Sequence, residues 1–324
     1  LKGQSKADWA INRFGKGNFN YVGDSLADTP VWKSASRGFV VSTRGKFRVL
    51  SHRQKDGTRL ELVSERPSEL RALLTAMRFK HWSKNLLIFL PLVLAFEFQI
   101  EGILSATAAF ISFGLVASAF YIFNDLTDIT ADRQHPEKLE RAIASGQLQA
   151  AKASIVVLLL SVSGAVLALL TTGLVGLAML ATYALLTMVY SLGLKRIPVL
   201  DVLILVSLFL WRIIAGGSAS EISVSYWLLI FGFFVFLSLA LLKRVAEQEQ
   251  EDTTQQVTAM STYRGYDTKD REFIRYSSTA AAFASIAMLS LYLDAGLFPA
   301  ADVPASGLLM IGVWAFWILR AVRK

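Results

Sequence analysis

The chain has no cysteine and only three histidines. Without cysteine it forms no disulfide and no thiolate metal site, and three scattered histidines are a poor basis for a zinc site. Hydrophobic residues make up 54% of its 324 residues. This composition is too apolar for an ordinary soluble enzyme, so the first prediction is a membrane protein.

Apolar runs recur along most of the sequence, and eight of them are long enough to be membrane spans. They lie at residues 85–99, 103–123, 153–171, 174–192, 198–218, 224–242, 273–293 and 303–321. The first run is the weakest of the eight because it carries Pro91 and continues into Glu97. We therefore predict an all-α polytopic membrane protein.

Lysine and arginine concentrate on one set of connections between the apolar runs. These connections are residues 1–84, 133–152, 195–196, 243–275 and 320–324. The opposite connections carry only the acidic residues Glu97, Glu101, Glu221, Asp294 and Asp302. Because basic loops remain in the cytoplasm, we expect a multi-pass protein of a bacterial-type inner membrane with both chain ends cytoplasmic. The chain starts at Leu1, and we expect further sequence upstream in the natural protein.

Residues 1–50 have the pattern of a small cytoplasmic α/β piece. A helical stretch precedes a short strand ending near Gly23, and a helix over 29–36 leads to a second strand over 39–42. Residues 51–67 are predicted to be a linker, and residues 68–324 to form the membrane domain.

The turn after the first strand contains Gly23, Asp24, Ser25 and Asp28. It resembles the Gly-Asp-Ser-x-x-Asp element at the carboxy-terminal end of haloacid-dehalogenase-type phosphatase domains. In that family the element holds Mg²⁺ and an earlier lysine, here Lys2, steadies the phosphoryl group. The family's nucleophile motif, Asp-x-Asp, occurs nowhere in the 324 residues. The resemblance therefore implies a remnant without phosphatase activity.

An acidic motif follows the second apolar run and consists of Asn124, Asp125, Asp128 and Asp132. On one helix, spacings of three and four residues place the three carboxylates on one face, where their repulsion favours a bound cation. Such hard oxygen ligands suit Mg²⁺, which shares its shell with substrate phosphates. The alternative is a solvated acidic helix end. The metal-and-phosphate interpretation is favoured by the neighbouring Arg133, His135, Lys138 and Arg141.

Other polar residues stand at the same ends of the remaining spans. They are Lys84, Asn85, Tyr190, Lys195, Asp201, Lys243 and Arg244, and Glu247 is a candidate for a further metal ligand. Lys84 is equally consistent with anchoring at the membrane interface. Asp201 lies about one turn into an apolar span, where a carboxylate needs a partner. Arg212 lies deeper in that span, and either serves the site or extends outward beside Trp211.

The acidic motif matches Asn-Asp-x-x-Asp-x-x-x-Asp, the hallmark of UbiA-type membrane transferases, and the resemblance covers residues 68–322. It implies a bundle of nine spans around a cavity open to lipid, with Mg²⁺ bridging the motif carboxylates to a diphosphate. Within this superfamily the chain is most similar to the decaprenyl-phosphate phosphoribosyltransferase group. The residues that carry this likeness are Trp82–Asn85, Asp132–Pro136, Tyr190, Lys195, Asp201, Arg212–Gly217 and Lys243–Glu247.

The resemblance implies an enzyme that moves a 5-phosphoribosyl group from phosphoribosyl pyrophosphate to a polyprenyl phosphate and releases pyrophosphate. Asp125, Asp128 and Asp132 are the implied catalytic and Mg²⁺-binding residues. The resemblance also implies that substrate is contacted by Lys84, Asn85, Asn124, Arg133, His135, Lys138, Arg141, Tyr190, Lys195, Asp201, Lys243 and Arg244, whose basic members bind the phosphates. A UbiA-type prenyltransferase with an aromatic or isoprenoid acceptor is the alternative. The non-enzymatic alternative is a transporter or lipid-binding protein, whose sites usually lie near the bilayer midplane. No nucleic-acid partner is expected.

The sequence also departs from that group. Phe79 stands where a proline is expected, Glu140 and Ala142 flank Arg141, and the second Asp-x-x-x-Asp motif of aromatic prenyltransferases is missing. These departures bear on the substrate more than on the fold.

Overall fold

The computed structural model of the chain describes residues 1–42, 60–65, 68–136, 138–253, 266, 270–294, 311–316 and 320. The chain divides into two units, which we call the N-terminal unit (Leu1–Ala76 and Asp128–Ala153) and the membrane unit (Met77–Thr127 and Ser154–Lys324). The acidic motif divides between them, since Asn124 and Asp125 belong to the membrane unit and Asp128 and Asp132 to the N-terminal unit.

The N-terminal unit contains a three-stranded parallel sheet with the strand order β1-β2-β3. Its elements are α1 (Gln4–Phe14), β1 (Asn20–Gly23), α2 (Thr29–Ser34), β2 (Arg37–Ser42) and β3 (Leu60–Glu65). The predicted order of strand, turn, helix and strand is present. Trp32 of α2 and Val40 of β2 are fully buried against each other, so the crossover helix packs on the sheet as parallel strands require.

Strand β3 corrects the predicted linker at 51–67. Leu60–Glu65 pairs in parallel with β2, and the side chain of Leu60 packs against the cluster of Trp32 and Val40. The remaining linker residues, 51–59, 66 and 67, lie outside the described residues. A parallel edge strand is recognised by a partner distant in sequence, which explains why local composition did not reveal it.

Asp28 connects the first turn of this sheet to α1. Its carboxylate accepts hydrogen bonds from Lys6 Nζ at 3.0 Å, Tyr21 OH at 2.8 Å, the Asp24 N–H at 3.3 Å and Ser25 Oγ at 3.2 Å. Burial by itself raises the pKa of the Asp28 carboxyl, but the bonds from Tyr21, Lys6 and Asp24 outweigh it and lower that pKa. The lysine beside this carboxylate is thus Lys6, whereas the predicted Lys2 is exposed.

The rest of the N-terminal unit is helical. It contains α3 (Glu69–Ala76), α6 (Ile129–Gln134) and a 3-10 turn at Lys138–Glu140. Ala142, Ile143 and Ala144 are buried in this unit. Lys152 Nζ and Glu69 Oε2 form an ion pair of 2.7 Å that is largely exposed and therefore contributes little to stability.

The membrane unit consists of long helices. They are a 3-10 helix (Phe79–Phe89), α4 (Leu90–Ala95), α5 (Ile100–Thr127), α7 (Ala150–Leu192), α8 (Leu200–Ala219), α9 (Tyr226–Thr253) and α10 (Arg271–Asp294). By length and composition, α5, α7, α8 and α9 each suffice to cross a membrane.

Helix α7 accounts for two of the predicted spans. It is 43 residues long and is interrupted at Gly173, whose φ of 67° lies in the left-handed region that favours glycine. The predicted spans at 153–171 and 174–192 therefore meet at this glycine. Helix α10 covers the span predicted at 273–293, whereas most of the span predicted at 303–321 lies outside the described residues.

The predicted first span at 85–99 is not a continuous α-helix. The chain instead forms an 11-residue 3-10 helix followed by the six-residue α4. At about 2.0 Å per residue in the first and about 1.5 Å in the second, the two together extend about 31 Å, about the thickness of a bilayer core. Pro91 stands in the first turn of α4, where its missing N–H leaves no bond unmade.

The 3-10 helix packs directly against α8 at Gly216. A Cβ atom at Gly216 would lie 2.0 Å from the carbonyl oxygen of Ile88, which is fully buried. The period of three residues places Trp82, Asn85 and Ile88 along one side of this helix. The backbone of the irregular span therefore touches the backbone of α8 because position 216 has no side chain.

We expect Gly216→Ala to destabilise the protein by about 1–3 kcal/mol, because the added methyl group forces the two backbones apart. The loss is measured as a lower unfolding temperature of the detergent-purified protein. Gly312→Ala is the matched control, since Gly312 is an exposed helical residue and a Cβ there meets no atom within 4 Å. Equal unfolding temperatures for the two variants would contradict the close packing.

Candidate active site

A cavity of about 210 Å³ lies in the membrane unit among the 3-10 helix, α5, α7, α8 and α9. A basic group lines it, consisting of Lys84, Arg212, Lys243 and Arg244. An aromatic group also lines it, consisting of Phe120, Tyr121, Tyr183, Tyr190 and Phe209. Among the lining residues that the structure describes, none is Asp or Glu. The cavity is therefore rich in hydrogen-bond donors and positive charge.

Arg212 is one of two buried members of the basic group, with 6% of its surface exposed. Its Nε donates to Asn85 Oδ1 at 2.8 Å, its Nη2 donates to Tyr183 OH at 3.0 Å, and its Nη1 donates to the carbonyl of Leu208. The outward orientation beside Trp211 is therefore wrong. Trp211 instead donates its own Nε1–H to the carbonyl of Met179 at 2.8 Å.

Within the described parts of the chain, the environment of Arg212 provides hydrogen bonds but no neutralising charge. It lies 12 residues beyond the start of α8, which is about 18 Å along the helix. A cation at such a depth costs about 2.5–3.5 kcal/mol for insertion into a bilayer. Its acceptors are all neutral, and within the described residues it forms no ion pair. So costly a charge indicates a functional role.

Asn85 lies behind Arg212 on the 3-10 helix and is 1% exposed. Its side-chain oxygen accepts the bond from Arg212, while its Nδ2 has no hydrogen-bond partner within the described part of the chain. The helix is fixed nearby by Trp82, whose Nε1 donates to Ser118 Oγ at 3.0 Å, and by Ser118, which donates to the carbonyl of Met77 at 2.8 Å. Asn85 thus orients Arg212 from a rigid backbone.

Arg244 is held by a second buried network. Its Nε donates to Asp201 Oδ2 at 2.8 Å and its Nη1 donates to Glu247 Oε2 at 2.5 Å. Asp201 is 0% exposed and also accepts a hydrogen bond from the hydroxyl of Tyr266. Burial and this bond raise the pKa of the Tyr266 phenol, which keeps its proton available to Asp201. Asp201 does not line the cavity, and it acts on the cavity by positioning Arg244.

One nitrogen of Arg244 remains available. The guanidinium is 2% exposed, and its Nη2 has no hydrogen-bond partner among the described residues. A buried N–H without an acceptor costs about 1–3 kcal/mol, more for a charged group, so an anionic ligand oxygen at this position stabilises the site.

The acidic motif is not carried by one helix. Helix α5 ends at Thr127, and Asp128 is the residue before α6, with φ −95° and ψ 10°. This corrects the expectation of a single helical face carrying all three carboxylates. Within the membrane unit, Asp125 is buried and accepts a hydrogen bond from Arg78 Nη2 at 2.7 Å. The Arg78 guanidinium also lies over the ring of Tyr121, 5.2 Å from its centroid.

Within the N-terminal unit, Asp132 is paired in the same manner. It is 2% exposed, and its Oδ2 accepts a hydrogen bond from Arg141 Nη1 at 2.8 Å. Arg133, also predicted to bind phosphate, donates from Nε to the carbonyl of Ala144 at 3.1 Å. Two motif carboxylates are thus each paired with an arginine. No group of three or more acidic or histidine side chains in the described ranges is arranged to hold a metal ion.

The structure divides the predicted substrate-binding residues between cavity and periphery. Those that line the cavity are Lys84, Asn124, Tyr190, Lys243 and Arg244. Asn124 Nδ2 also donates to Ser191 Oγ at 3.4 Å. Lys195 lies in the 3-10 turn Leu194–Arg196 and is not among the lining residues. His135 and Lys138 lie in the N-terminal unit, just after α6. Asp128 lies in the same unit, just before α6.

Sequence reasoning did not assign Arg78, Tyr183, Phe209 and Arg212 to the site. Arg212 carried a detectable signal, because a charge within an apolar span is expensive and usually functional. Tyr183 and Phe209 carried none, since aromatic residues are ordinary components of membrane helices. Their role depends on rings that face cations: Arg212 lies 4.8 Å from the Tyr183 centroid and 5.8 Å from that of Phe209.

Comparison with known proteins supports the assignment of the fold. A solved UbiA homologue from Archaeoglobus fulgidus, bound to DMAPP and Mg²⁺, superposes with a TM-score of 0.59 over 78% of this chain and 86% of that one, at 14% identity. At this identity the likeness concerns the fold alone.

Three relatives are similar in sequence. An uncharacterised protein of Sinorhizobium fredii is 36% identical over 90% of this chain, which spans only 56% of that relative's length. The nodulation protein NoeC of Azorhizobium caulinodans is 33% identical, with 76% of this chain and 80% of NoeC covered. A decaprenyl-phosphate phosphoribosyltransferase of Mycolicibacterium smegmatis is 33% identical, with 68% and 69% covered.

The model of the UbiA prenyltransferase family matches residues 86–324, which include the cavity-forming helices α5, α7, α8 and α9. The bundle of apolar helices, the fold neighbour and this match agree with one another. The chain is therefore an integral membrane enzyme that belongs to the UbiA prenyltransferase family.

Proposed function

We propose that the chain is a Mg²⁺-dependent transferase that moves a 5-phosphoribosyl group from phosphoribosyl pyrophosphate to a polyprenyl phosphate and releases pyrophosphate. The observation that carries this proposal is the composition of the cavity, which four cations line and no carboxylate does within the described residues. An anionic acceptor fits such a lining. The name of the similar Mycolicibacterium smegmatis enzyme supports the same donor and acceptor.

The charge of the cavity suits a lipid phosphate. Asp201 and Glu247 compensate part of the basic group through Arg244, and Glu247 also lies 3.8 Å from Lys243 Nζ. Among the described residues, these four cations and two carboxylates leave an excess of two positive charges. A phosphate monoester carries about −1.5 to −2 at neutral pH, which balances this excess. The polyprenyl tail remains in the bilayer while the phosphate enters the cavity.

We assign the metal to Asp125, Asp128 and Asp132, whose hard oxygen atoms suit Mg²⁺. The donor chemistry fits, because the Asp125 and Asp132 carboxylates are each paired with a cationic side chain, Arg78 and Arg141. When bound, the metal supplies neutralisation of the leaving pyrophosphate. The Mg²⁺ in the solved UbiA homologue supports this assignment. Glu247 accepts a hydrogen bond from Arg244 and orients its guanidinium group, so we do not assign Glu247 to the metal.

The chain's own contribution is positioning and charge stabilisation. With a divalent cation held by the carboxylates, the guanidinium groups of Arg78 and Arg141, which now pair with Asp125 and Asp132, would be placed to bind pyrophosphate oxygens. Lys84, Lys243 and Arg244 orient the acceptor phosphate so that its oxygen attacks the ribosyl carbon as pyrophosphate leaves. Such preorganised cations act most strongly in a site that excludes water.

We place both chain ends and the motif on the cytoplasmic side of a bacterial-type inner membrane. The asymmetry of lysine and arginine between alternate connections supports this orientation. Phosphoribosyl pyrophosphate is water-soluble, so a motif that opens to the cytoplasm gives the donor access while the lipid acceptor arrives from the bilayer.

Transfer of a prenyl group from its diphosphate to an aromatic or isoprenoid acceptor is the second candidate. It is favoured by the solved UbiA homologue, which is bound to DMAPP. The aromatic group of the cavity also supports it, because aromatic rings shelter carbocations. The same Mg²⁺ serves both reactions, so the metal does not discriminate between them.

Purified protein in nanodiscs, supplied with one donor at a time, tests the proposal. We expect pyrophosphate release from phosphoribosyl pyrophosphate only when both polyprenyl phosphate and Mg²⁺ are present. Release from an allylic diphosphate with an aromatic acceptor, and none from phosphoribosyl pyrophosphate, would establish the second candidate instead. Retained substrate uptake by liposomes after Asp125→Asn would favour the transporter alternative.

A further inference from the structure

Arg212 brings an uncompensated guanidinium from the interior of α8 into the cavity. Three of its five N–H groups donate to Asn85, Tyr183 and Leu208, which leaves two for ligand oxygens. A guanidinium suits phosphate because its parallel N–H groups match two phosphate oxygens. Since Arg212 lines the cavity, a phosphate there can take both remaining donors.

The same arginine covers the faces of aromatic rings that line the cavity. Its guanidinium lies over the rings of Tyr183 and Phe209, and Lys84 Nζ also lies 5.9 Å from the Phe209 centroid. Arg78 covers the ring of Tyr121. Three of the five rings in the aromatic group therefore already face a cation. A carbocation at these rings meets positive charge where its stabilisation requires free π density.

We propose that Arg212, positioned by Asn85 and Tyr183, determines the specificity of the cavity: it selects a lipid phosphate monoester and opposes an allylic carbocation. This inference rests on the proposed function, because it names the residue that chooses the acceptor of that reaction. It also decides between the two candidate reactions on a physical ground, since one fixed charge attracts the dianion and repels the carbocation.

Direct binding without any donor tests the inference. The unfolding temperature of the detergent-purified protein is titrated with farnesyl phosphate, with farnesol and with inorganic phosphate. We expect stabilisation by farnesyl phosphate and none by farnesol. Inorganic phosphate separates the two sources of the anion: weaker binding than farnesyl phosphate supports a lipid ligand, and equal binding would overturn that part of the proposal.

The variant Arg212→Gln removes the charge and keeps a side chain that can still bond Asn85 or Tyr183. We expect its affinity for farnesyl phosphate to fall by about 30-fold or more. Arg212→Lys retains the charge but lacks the planar pair of N–H groups. We expect its affinity for farnesyl phosphate to lie between that of Arg212→Gln and that of the unsubstituted protein. Arg196→Gln is the matched control, because Arg196 is exposed in a 3-10 turn and does not line the cavity.

A second variant keeps the test informative if Arg212→Gln does not fold. Tyr183→Phe preserves the ring and removes only the hydroxyl that accepts from Arg212 Nη2. We expect about two- to tenfold weaker binding of farnesyl phosphate, with an unchanged KM for phosphoribosyl pyrophosphate. Unchanged farnesyl phosphate affinity in either variant would overturn the role of Arg212.

Failure of the inference and failure of the proposed function are distinguishable. If farnesyl phosphate binds through Arg212 but phosphoribosyl pyrophosphate is never consumed, the specificity site stands and the donor is wrong. If phosphoribosyl transfer occurs and Arg212→Gln leaves the KM for polyprenyl phosphate unchanged, the function stands and the inference is wrong. A rise in turnover of an allylic diphosphate by Arg212→Gln further supports the repulsion of a carbocation.

Discussion

Asp125→Asn is expected to reduce the rate of transfer by about 100- to 1000-fold, the range observed when one preorganised stabilising group is removed from an active site. The amide keeps the size of the carboxylate but loses the charge that holds a divalent cation. Turnover of phosphoribosyl pyrophosphate with polyprenyl phosphate is measured over a range of Mg²⁺ concentrations. We expect the variant to need far more Mg²⁺ for any residual rate.

The control separates a metal ligand from a partner of Arg78, because Asp125 accepts a hydrogen bond from Arg78 at 2.7 Å. Arg78→Gln removes that partner and leaves the carboxylate in place. If Asp125 binds the metal, Arg78→Gln retains the Mg²⁺ affinity that Asp125→Asn loses. Equal loss of activity in both variants, with unchanged Mg²⁺ dependence, would reduce Asp125 to a structural partner of Arg78.

Arg244→Met is expected to destabilise the membrane unit by about 3–5 kcal/mol, because it leaves the carboxylate of Asp201 buried without its counter-ion. Asp201 is 0% exposed, so water does not replace the lost guanidinium. Only the hydroxyl of Tyr266 remains as a donor to it among the described contacts. The loss is measured as a lower unfolding temperature in detergent.

The double variant Asp201→Asn with Arg244→Met tests the origin of that loss. Removing both charges abolishes the uncompensated carboxylate, so we expect recovery of about half of the lost stability or more. Activity should not recover, because the cavity still lacks one cation. A double variant as unstable as Arg244→Met alone would show that the guanidinium stabilises by packing and not by charge.

Two short-range features of the N-terminal unit illustrate how far local pattern extends. The order of strand, turn, helix and strand followed from alternation and from Gly23, since those signals lie within a few residues of one another. The lysine that pairs with Asp28 could not be inferred from local pattern, because Lys2 and Lys6 both precede the strand. Only the packing of α1 places Lys6 Nζ 3.0 Å from Asp28 Oδ1. Strand β3 was missed for the same reason.

The sequence by itself determined the class of protein, and it predicted the chemistry of the motif. Apolar runs of bilayer length, the alternation of basic and acidic connections, and the spacing of Asn124, Asp125, Asp128 and Asp132 are all readable along the chain. Each is a statement about neighbours in sequence. They predicted a membrane protein, the resemblance of the motif to the UbiA hallmark predicted the family, and the family match confirms that resemblance.

Only the tertiary structure decided which charges share one cavity. Arg212 and Asn85 are 127 residues apart, and Arg244 and Asp201 are 43 apart, so no local spacing connects them. The pairing of Arg212 with Asn85 depends on the 3-10 helix and on Gly216, which bring two separate spans into backbone contact. A buried charge is stable only beside a hydrogen-bonding or charged partner, and the packing of the helices determines which residue lies beside it.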